Sequence, residues 1–489
     1  MGKDFIVALD LGTTGNRAIA YSEDGSILGS EYQEFPNYYP KPDWVEQDAY
    51  ELWQSAKTVL TSLFSSLPVT NCKGMGLSNQ RETIIAWNPK TGRCYHRAIV
   101  WQCRRSQSIC DELKPHEPMI KEKTGLLLDP YFSATKIRWL VDHVNEVRSA
   151  VSSGDIYFGT VDSWIIWNLS AGQSFVTDHS NASRTLLYNL HKQDYDEALL
   201  DLFGVPSNSL PQILDSDSLF AYSDPSLFSA SIPISAVLGD QQSALFAQSA
   251  TDKMAVKATF GTGLFLMNST GDSFVVNDNS IQTVAKRIRG KISYANEGAA
   301  FTAGAAMTWC RDQLGLFNDY SETETMARSI DSNEGVYFMP SLSGFAAPYW
   351  QANATAEFLG LTQATRKVHL IRAVLESIAY QTRLLLSAIS EQESSISVLK
   401  VDGGLSQNNF LMQFLSDLCA CHVQRPRSHE ATALGIAALA SQSLGFCDSS
   451  IILSTQSESD DFFPTENNQA LIASYDHWKA LLQRSFSSE

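Results

Sequence analysis

Apolar and turn-forming residues at the start of the chain predict a β-hairpin. Two apolar runs, residues 6–11 and 18–20, flank the turn Gly12-Thr13-Thr14-Gly15, and Asp10 stands near the end of the first run. β-prone runs broken by a glycine-containing turn are typical of antiparallel pairs. The tip of this hairpin therefore brings two glycines and two threonine hydroxyls together.

Helical spacing follows the hairpin and alternates with further β-prone runs, which predicts an α/β protein. Residues 48–63 place Leu52, Ala56, Val59 and Leu60 on one face, the spacing of a helix that packs on a core. Residues 368–389 predict a longer helix with the core candidates Ile371, Val374, Leu375, Ile378, Tyr380 and Leu385. Residues 216–231, rich in Ser, Asp and Pro, and the similar residues 456–461 are expected in surface loops.

A second Gly-Thr turn, Phe260-Gly261-Thr262-Gly263, follows a β-run near the middle of the chain. It repeats the first hairpin pattern and predicts two lobes of like topology, each presenting a hairpin tip to a shared cleft. A chance recurrence of a common Gly-Thr pair is the alternative. Because the 489 residues exceed the ~250–300 at which single cores stop growing, we predict lobes of residues 1–250 and 251–489.

Charge and composition narrow the choice of partners. Lys and Arg number 36 against 53 Asp and Glu, and the net charge of −17 disfavours nonspecific binding to nucleic acid or to anionic membrane. No apolar run reaches the ~18 residues of a spanning helix, and the N-terminus lacks the features of a signal peptide. The eight cysteines are too sparse for a disulfide scaffold, and Cys419 and Cys421 are interpreted as packing residues. We therefore expect a cytoplasmic protein without membrane insertion.

The two commonest phosphate-binding fingerprints are absent. The G-x-x-x-x-G-K-[ST] motif is absent, since Gly290-Lys291 is followed by Ile292 in place of Ser or Thr. The G-x-G-x-x-G motif is absent too, since no G-x-G pair is followed by the third glycine. A phosphate site would instead use the first hairpin, where Thr13 and Thr14 add donors beside the glycines. Asp10 would then hold Mg²⁺ beside the phosphate. The alternative is an ordinary glycine turn with a capping Asp.

Four further clusters offer chemistry, each with a structural alternative. Arg81 and Glu82 combine donors and an acceptor, which suits a polyol or a carboxylate, or they form a surface ion pair. Trp101 is either a binding platform or a core side chain. Asp240, between an apolar run and a helical pattern, is either a general base or a helix N-cap. The Asp402-Gly403-Gly404 turn admits a base or phosphate closely, or is a plain tight turn.

Together these clusters resemble the FGGY family of carbohydrate kinases over nearly the whole chain. The runs that carry the resemblance include Ser78-Asn79-Gln80-Arg81-Glu82-Thr83, Leu128-Asp129-Pro130-Tyr131-Phe132-Ser133, Asn181-Ala182-Ser183-Arg184-Thr185, Gly239-Asp240-Gln241-Gln242 and Ala347-Pro348-Tyr349-Trp350. The first two runs favour members that act on glycerol over those that act on pentoses and hexoses.

The resemblance implies two ribonuclease-H-like lobes, of the actin and hexokinase type, around a central cleft. It implies phosphorylation of glycerol to sn-glycerol 3-phosphate by ATP with Mg²⁺, release of ADP, and a homo-oligomer, either dimer or tetramer. The implied glycerol ligands are Arg81, Glu82, Tyr131, Asp240 and Gln241, with Trp101 and Phe265 as an apolar wall and Asp240 as the general base. Asp10 would lie near Mg²⁺. The implied phosphate and nucleotide residues are Thr13, Thr14, Arg17, Thr262, Gly304, Thr308, Gly404 and Asn408.

This chain departs from the family pattern in its opening loop. In this loop Leu11 replaces a Gln, and Gly15-Asn16 replaces a Ser-Ser pair. Elsewhere, Thr308 stands where a Gln is frequent, and Gln351 replaces an Asp. The Gly-rich loop through which some members bind fructose 1,6-bisphosphate is also not visible. Two other hypotheses remain open: a kinase of another small polyol or ketose, and a catalytically weak regulatory or scaffold protein that keeps the fold.

Overall fold

The computed structural model of the protein describes residues 2–249, 256–274, 276, 280–342, 344–351, 353–389, 396–427, 430–455, 458–465 and 468–486. None of the helices in these ranges combines the length and apolar character that a membrane span requires. The predicted boundary between the lobes, at residue 250, lies outside the described residues and stays a prediction.

The first lobe contains fifteen strands and ten helices within the described residues. The strands are β1 Phe5–Leu11, β2 Gly15–Ser22, β3 Ile27–Glu34, β4 Asn37–Tyr38, β5 Glu46–Gln47, β6 Cys72–Asn79, β7 Ile85–Trp87, β8 Ala98–Ile99, β9 Tyr157–Gly159, β10 Val176–Asp178, β11 Tyr188–Asn189, β12 Asp194–Tyr195, β13 Gln212–Leu214, β14 Ala221–Tyr222 and β15 Pro233–Gly239. The helices are α1 Ala49–Ser66, α2 Gln107–Leu113, α3 Glu117–Thr124, α4 Ser133–His143, α5 Asn145–Ser153, α6 Val161–Leu169, α7 His179–Ala182, α8 Glu197–Phe203, α9 Pro225–Phe228 and α10 Asp240–Ser249.

The second lobe contains nine strands and seven helices in its described part. The strands are β16 Val256–Phe260, β17 Leu264–Gly271, β18 Ile281–Ile288, β19 Lys291–Ala300, β20 Tyr337–Met339, β21 Glu357–Leu359, β22 Val398–Asp402, β23 His422–Pro426 and β24 Ser459–Phe462. The helices are α11 Gly304–Asp312, α12 Tyr320–Arg328, α13 Lys367–Ile389, α14 Asn409–Cys419, α15 Ala431–Leu444, α16 Ser449–Ser454 and α17 Gln469–Phe486.

The two central sheets repeat one topology. The first has the order β14-β15-β6-β1-β2-β3 and the second the order β18-β19-β17-β16-β22-β23-β24. In each, a third strand, β3 or β19, pairs antiparallel with the second strand of the opening hairpin, and two parallel strands lie on the other side of its first strand. In the second sheet β18 adds a further antiparallel strand beside β19. This is the ribonuclease-H-like arrangement expected for both lobes, and it places the two hairpin tips at corresponding points.

The elements predicted from apolar spacing are confirmed. The first hairpin pairs Leu11 with Asn16 across its turn, and the second pairs Phe260 with Leu264. Helix α1 begins after Asp48, whose carboxylate accepts from the Tyr50 amide at 2.9 Å. Core candidates of α1 and α13 are all buried: Leu52, Ala56, Val59, Leu60, Ile371, Val374, Leu375, Ile378, Tyr380 and Leu385.

The two predicted loops are wrong in part. Residues 216–231 contain β14 and α9, and they bury Phe220 and Phe228 in the first core. Residues 459–461 belong to the edge strand β24, where Asp460 pairs with Arg425 at 2.7 Å. Cross-strand charge pairing explains a polar strand that apolar spacing does not reveal; residues 456 and 457 lie outside the described residues.

Helices α10 and α15 pack against each other between the sheets. Helix α15 follows β23 of the second lobe, yet its Ile436 and Ala437 join a core with Ile6 and Ala8 of the first sheet. At the crossing, Gly435 faces the Ser243 carbonyl with no room for a Cβ. The close packing joins the lobes on this side.

Candidate active site

The first hairpin tip is anchored from behind by amide side chains. The Thr13 carbonyl accepts from Gln47 at 2.8 Å and from Asn37 at 3.2 Å. The Thr13 hydroxyl accepts from the Trp101 indole nitrogen at 3.0 Å. Thr14 remains exposed. The tip is therefore fixed in place while Thr14 is free to meet a ligand.

Asp10 lies half-buried at the base of this tip. Ser78 donates to its carboxylate at 2.8 Å. Burial raises the pKa of Asp10 to about 7, and the Asp240 and Glu430 charges add to the rise, against the Ser78 hydrogen bond and Arg17. Arg17 itself pairs with Glu430 at 2.9 Å. A half-buried carboxylate that lines a cavity and has a raised pKa is a ligand that a divalent cation would stabilise, so the residues present fit Mg²⁺.

Arg81 and Glu82 belong to a buried network of charges. The Arg81 Nη1 atom lies 2.5 Å from Glu297 Oε2, and the Arg184 Nη2 atom lies 2.8 Å from Glu297 Oε1. Arg184 Nε in turn lies 2.5 Å from Glu82 Oε1. All four side chains are at most 2% exposed. The surface ion pair considered for Arg81 and Glu82 is therefore wrong, because both side chains lie inside the protein.

Asp240 and Tyr131 complete this cluster around Arg81. Asp240 Oδ1 is 3.3 Å from Arg81 Nε, and the Tyr131 hydroxyl accepts from Arg81 Nη2 at 3.3 Å. The Asp240 side chain is 29% exposed, so it faces solvent beside buried partners. Burial raises the pKa of Asp240, while Arg81 and Lys257 oppose the rise.

An aromatic wall adjoins these polar groups. The Trp101 ring centroid lies 5.7 Å from that of Phe265 and 5.8 Å from that of Tyr131. A cavity of about 60 Å³ opens here, lined by Trp101, Gln102, Arg104, Tyr131 and Phe301. Gln241 follows Asp240, but its side-chain oxygen accepts from Lys257 of β16. Gln241 is thus next to the cluster with its oxygen already engaged.

The second lobe supplies a larger cavity of about 540 Å³. The predicted nucleotide residues all line it: Thr262, Gly304, Thr308, Gly404 and Asn408. Two of them are partly engaged, since Thr308 hydrogen-bonds Tyr320 at 2.8 Å and Asn408 caps α14 through the Leu411 amide at 3.0 Å.

A third cavity, of about 430 Å³, leads from the nucleotide residues towards the first hairpin. It is lined by Asp10, Gly15, Arg17, Tyr32, Gly403, Gly404, Gln407 and Glu430. Gly404 and Gln407 line both this cavity and the larger one. A ligand that spans the two reaches from the α11 and α12 side to the Asp10 carboxylate.

Comparison with known proteins decides the family. The model of the N-terminal domain of the FGGY family of carbohydrate kinases matches residues 5–247, and that of its C-terminal domain matches residues 256–444. This chain belongs to the FGGY family of carbohydrate kinases.

Relatives and solved structures span almost the full length of this FGGY kinase. Glycerol kinase of Aquifex aeolicus is 44% identical over 483 residues, 98% of each chain. Glycerol kinase 2 of Thermotoga maritima is 42% identical over 493 residues, 99% of each. The crystal structure of Plasmodium falciparum glycerol kinase with ADP superposes with a TM-score of 0.90 at 30% identity, covering 99% of this chain and 98% of that one. A xylulose kinase structure from Lactobacillus acidophilus, 20% identical with a TM-score of 0.88 and 98% coverage of each chain, shares the fold.

Two residues of the charged network in this FGGY kinase received no role from the sequence. Arg184 stands inside a run that carries the family resemblance, but nothing in its spacing points to Glu82. Glu297 is the one charged residue among residues 292–300. That isolated acid in a strand of small and apolar residues is the signal by which it could have been found.

Proposed function

We propose that this chain transfers the γ-phosphoryl group of ATP to a terminal hydroxyl of glycerol, giving sn-glycerol 3-phosphate and ADP. The observation that carries the proposal is the cluster of Arg81, Glu82, Tyr131 and Asp240 against an aromatic wall. Charged donors and acceptors suit the three hydroxyls of a triol, and the wall suits its carbon chain. Relatives named glycerol kinase, 42–44% identical over nearly the full length, support it.

Asp240 is assigned the general-base role in this proposal. Its partly exposed carboxylate takes the proton of the attacking hydroxyl as the new oxygen–phosphorus bond forms. The bond between the γ-phosphorus and the β,γ-bridging oxygen breaks, and ADP leaves with that electron pair. The partial burial that raises the pKa of Asp240 makes it a stronger base than a solvated aspartate.

The remaining residues hold the nucleotide and its charge. Thr13, Thr14 and Arg17 are assigned to the phosphates. The large cavity that Thr262, Gly304, Thr308, Gly404 and Asn408 line is assigned to the nucleoside. Asp10 would hold Mg²⁺, which when bound neutralises charge on the β- and γ-phosphate oxygens. The cytoplasmic location and a dimeric or tetrameric assembly stay predictions.

Substrate preference tests this proposal. Purified protein with ATP and Mg²⁺ is given glycerol, erythritol or xylulose, and ADP formation is followed. We expect kcat/KM for glycerol to exceed that for the other two by roughly tenfold or more, because hydroxyl-binding groups left unpaired or misplaced cost binding energy. A higher value for erythritol or xylulose would overturn the choice of glycerol. Glycerol binding in calorimetry without ADP formation would favour the weak regulatory protein.

A further inference from the structure

The buried charges of the site form one continuous series from lobe to lobe. Arg81 and Glu82 follow β6, and Arg184 follows α7, all in the first lobe, whereas Glu297 lies on β19 of the second. The order of contacts is Arg81, Glu297, Arg184, Glu82. Glu297 is thus the second-lobe member of the series, and it contacts both arginines.

Glu297 fixes the orientation of the Arg81 guanidinium. Its Oε2 accepts from Nη1 of Arg81 at 2.5 Å, which is the shorter of the two hydrogen bonds of that nitrogen; the other goes to Gln242 at 3.3 Å. With Nη1 held, the other two nitrogens of Arg81 are directed to Asp240 and to the Tyr131 hydroxyl, both at 3.3 Å. These are the groups that the proposed function assigns to the polyol. A guanidinium is planar and rigid, so fixing one nitrogen sets the direction of all three.

Glu297 also acts on Glu82, through Arg184. The Arg184 guanidinium lies 5.4 Å from the Tyr131 ring centroid and bridges Glu297 and Glu82. Within the described residues its Nη1 has no hydrogen-bond partner, so the two carboxylates are what hold it. Glu82 has a left-handed backbone, with φ of 62°, and its carbonyl accepts from Ser133 at 3.0 Å. Arg184 therefore aligns a carboxylate that its own backbone holds in an uncommon conformation.

Glu297 contacts both buried guanidiniums closely, Arg81 at 2.5 Å and Arg184 at 2.8 Å. Glu82 lies 3.9 Å from Arg81, and Asp240 pairs with Arg81 at 3.3 Å. Removing one carboxylate from such a series leaves two like charges facing each other in a medium that screens them poorly. Arg81 and Arg184 would then separate, and both polyol-facing groups would move.

We propose that Glu297 is a positioning residue for polyol binding: from the second lobe it sets Arg81 directly and Glu82 through Arg184. The polyol site is then complete only when β19 is docked on the first lobe. This rests on the proposed function insofar as Arg81 and Glu82 are the polyol ligands. It does not depend on the assignment of the base or of the nucleotide cavity.

The test compares Glu297→Gln with a matched variant, Glu376→Gln. Glu376 is another buried glutamate of the second lobe, 4% exposed, paired with Arg372 at 2.7 Å and with Asn333 at 2.7 Å. We expect Glu297→Gln to raise the glycerol KM roughly tenfold or more and to lower kcat, with the ATP KM within about twofold of wild type. Glu376→Gln should change none of these values beyond about twofold, whatever its effect on thermal stability.

Two outcomes would overturn the positioning role. One is a glycerol KM of Glu297→Gln within about twofold of wild type; the other is an equal rise in the glycerol and ATP KM values. If Glu297→Gln does not fold, Arg184→Lys decides by the same criteria, because lysine keeps the charge but cannot bridge two carboxylates.

Calorimetry of glycerol binding without ATP separates the two proposals. Wild-type protein that phosphorylates no polyol contradicts the proposed function. If wild type is active and Glu297→Gln has an unchanged glycerol KM, only the positioning role is contradicted.

Discussion

Asp240 stands at the start of a helix, between the buried Arg81 and solvent. It is the first residue of α10, and its Oδ1 accepts from the Gln241 amide at 2.7 Å. The same oxygen lies 3.3 Å from Arg81 Nε. A carboxylate held at a helix start has a fixed direction, and 29% exposure of its side chain leaves it open to a substrate hydroxyl.

Replacement of Asp240 by Asn should separate binding from turnover. Asparagine keeps the shape and the capping oxygen but is no base, so we expect kcat to fall roughly 10²–10⁴-fold. Glycerol affinity in calorimetry should stay within about fivefold, because Arg81 and Glu82 remain. Near-normal turnover in the variant would mean that another group takes the proton.

At this scale, local spacing singled out Arg81, Glu82 and Asp240 as candidates but did not reveal their partners. Arg81, Glu82 and Asp240 stand at the ends of apolar runs, where a polar cluster is visible in the sequence. The Glu297 contact spans 216 residues and depends on how one lobe docks on the other. The periodicity of apolar residues along the chain does not indicate how the lobes dock.

The turn between β22 and α14 is the element that joins the cavities of about 540 and 430 Å³. Gly403 has φ of 87°, and a Cβ there would meet the Phe260 backbone at 2.5 Å. Gly404 faces open space instead and lines both cavities. Gly403 thus makes the tight turn, and the close approach of a base or phosphate at Gly404 stays a prediction.

Alanine at these two glycines should therefore have different effects. Gly404→Ala adds a methyl group to the cavity wall without a clash, so we expect a raised ATP KM with an unchanged thermal midpoint. Gly403→Ala forces a left-handed conformation and a backbone clash, so we expect destabilisation by about 1–3 kcal/mol. Nucleotide titration and thermal unfolding of both proteins measure this. An unchanged ATP KM for Gly404→Ala would remove the turn from the nucleotide site.

Elements with strong apolar periodicity were predictable, and those held by charge pairs were not. Helices α1 and α13 lie where the 3.6-residue spacing puts them. The sequence predicts a loop where strand β24 lies, because its aspartates suit a strand only when Arg425 and Arg427 lie beside them.

At the scale of the whole molecule, β18 of the second lobe lies against α7 of the first. Thr283 and Ser183 share a hydroxyl hydrogen bond at 2.9 Å, and Arg287 donates to His179 Nε2 at 2.9 Å. The repeat of topology was visible in the sequence as two Gly-Thr turns. The sequence did not show which parts of the two lobes meet, because these contacts join side chains 100 residues or more apart.

The His179 contact predicts a loss of stability in mild acid. Burial, with the Arg287 charge, lowers the pKa of His179 to about 4, against the opposing Asp215 and Asp194 charges. Between pH ~6.5 and that value this histidine binds more protons in the unfolded chain than in the folded one, so its own contribution to stability falls as pH falls, by about 2 kcal/mol at pH ~5.

Thermal midpoints at pH ~7 and pH ~5 check this sign. His179→Gln cannot titrate, so its midpoint should drop less than that of wild type over the same interval. An equal drop in both proteins would show that His179 is not the group responsible.

The central claim is that the two lobes together phosphorylate glycerol at one end. Its most direct test supplies purified protein with Mg²⁺, ATP and glycerol, and oxidises the product with a dehydrogenase specific for sn-glycerol 3-phosphate. We predict that ADP and sn-glycerol 3-phosphate form in equal amounts and that both depend on glycerol. ADP formation that does not depend on glycerol, or no product at all, would contradict the account.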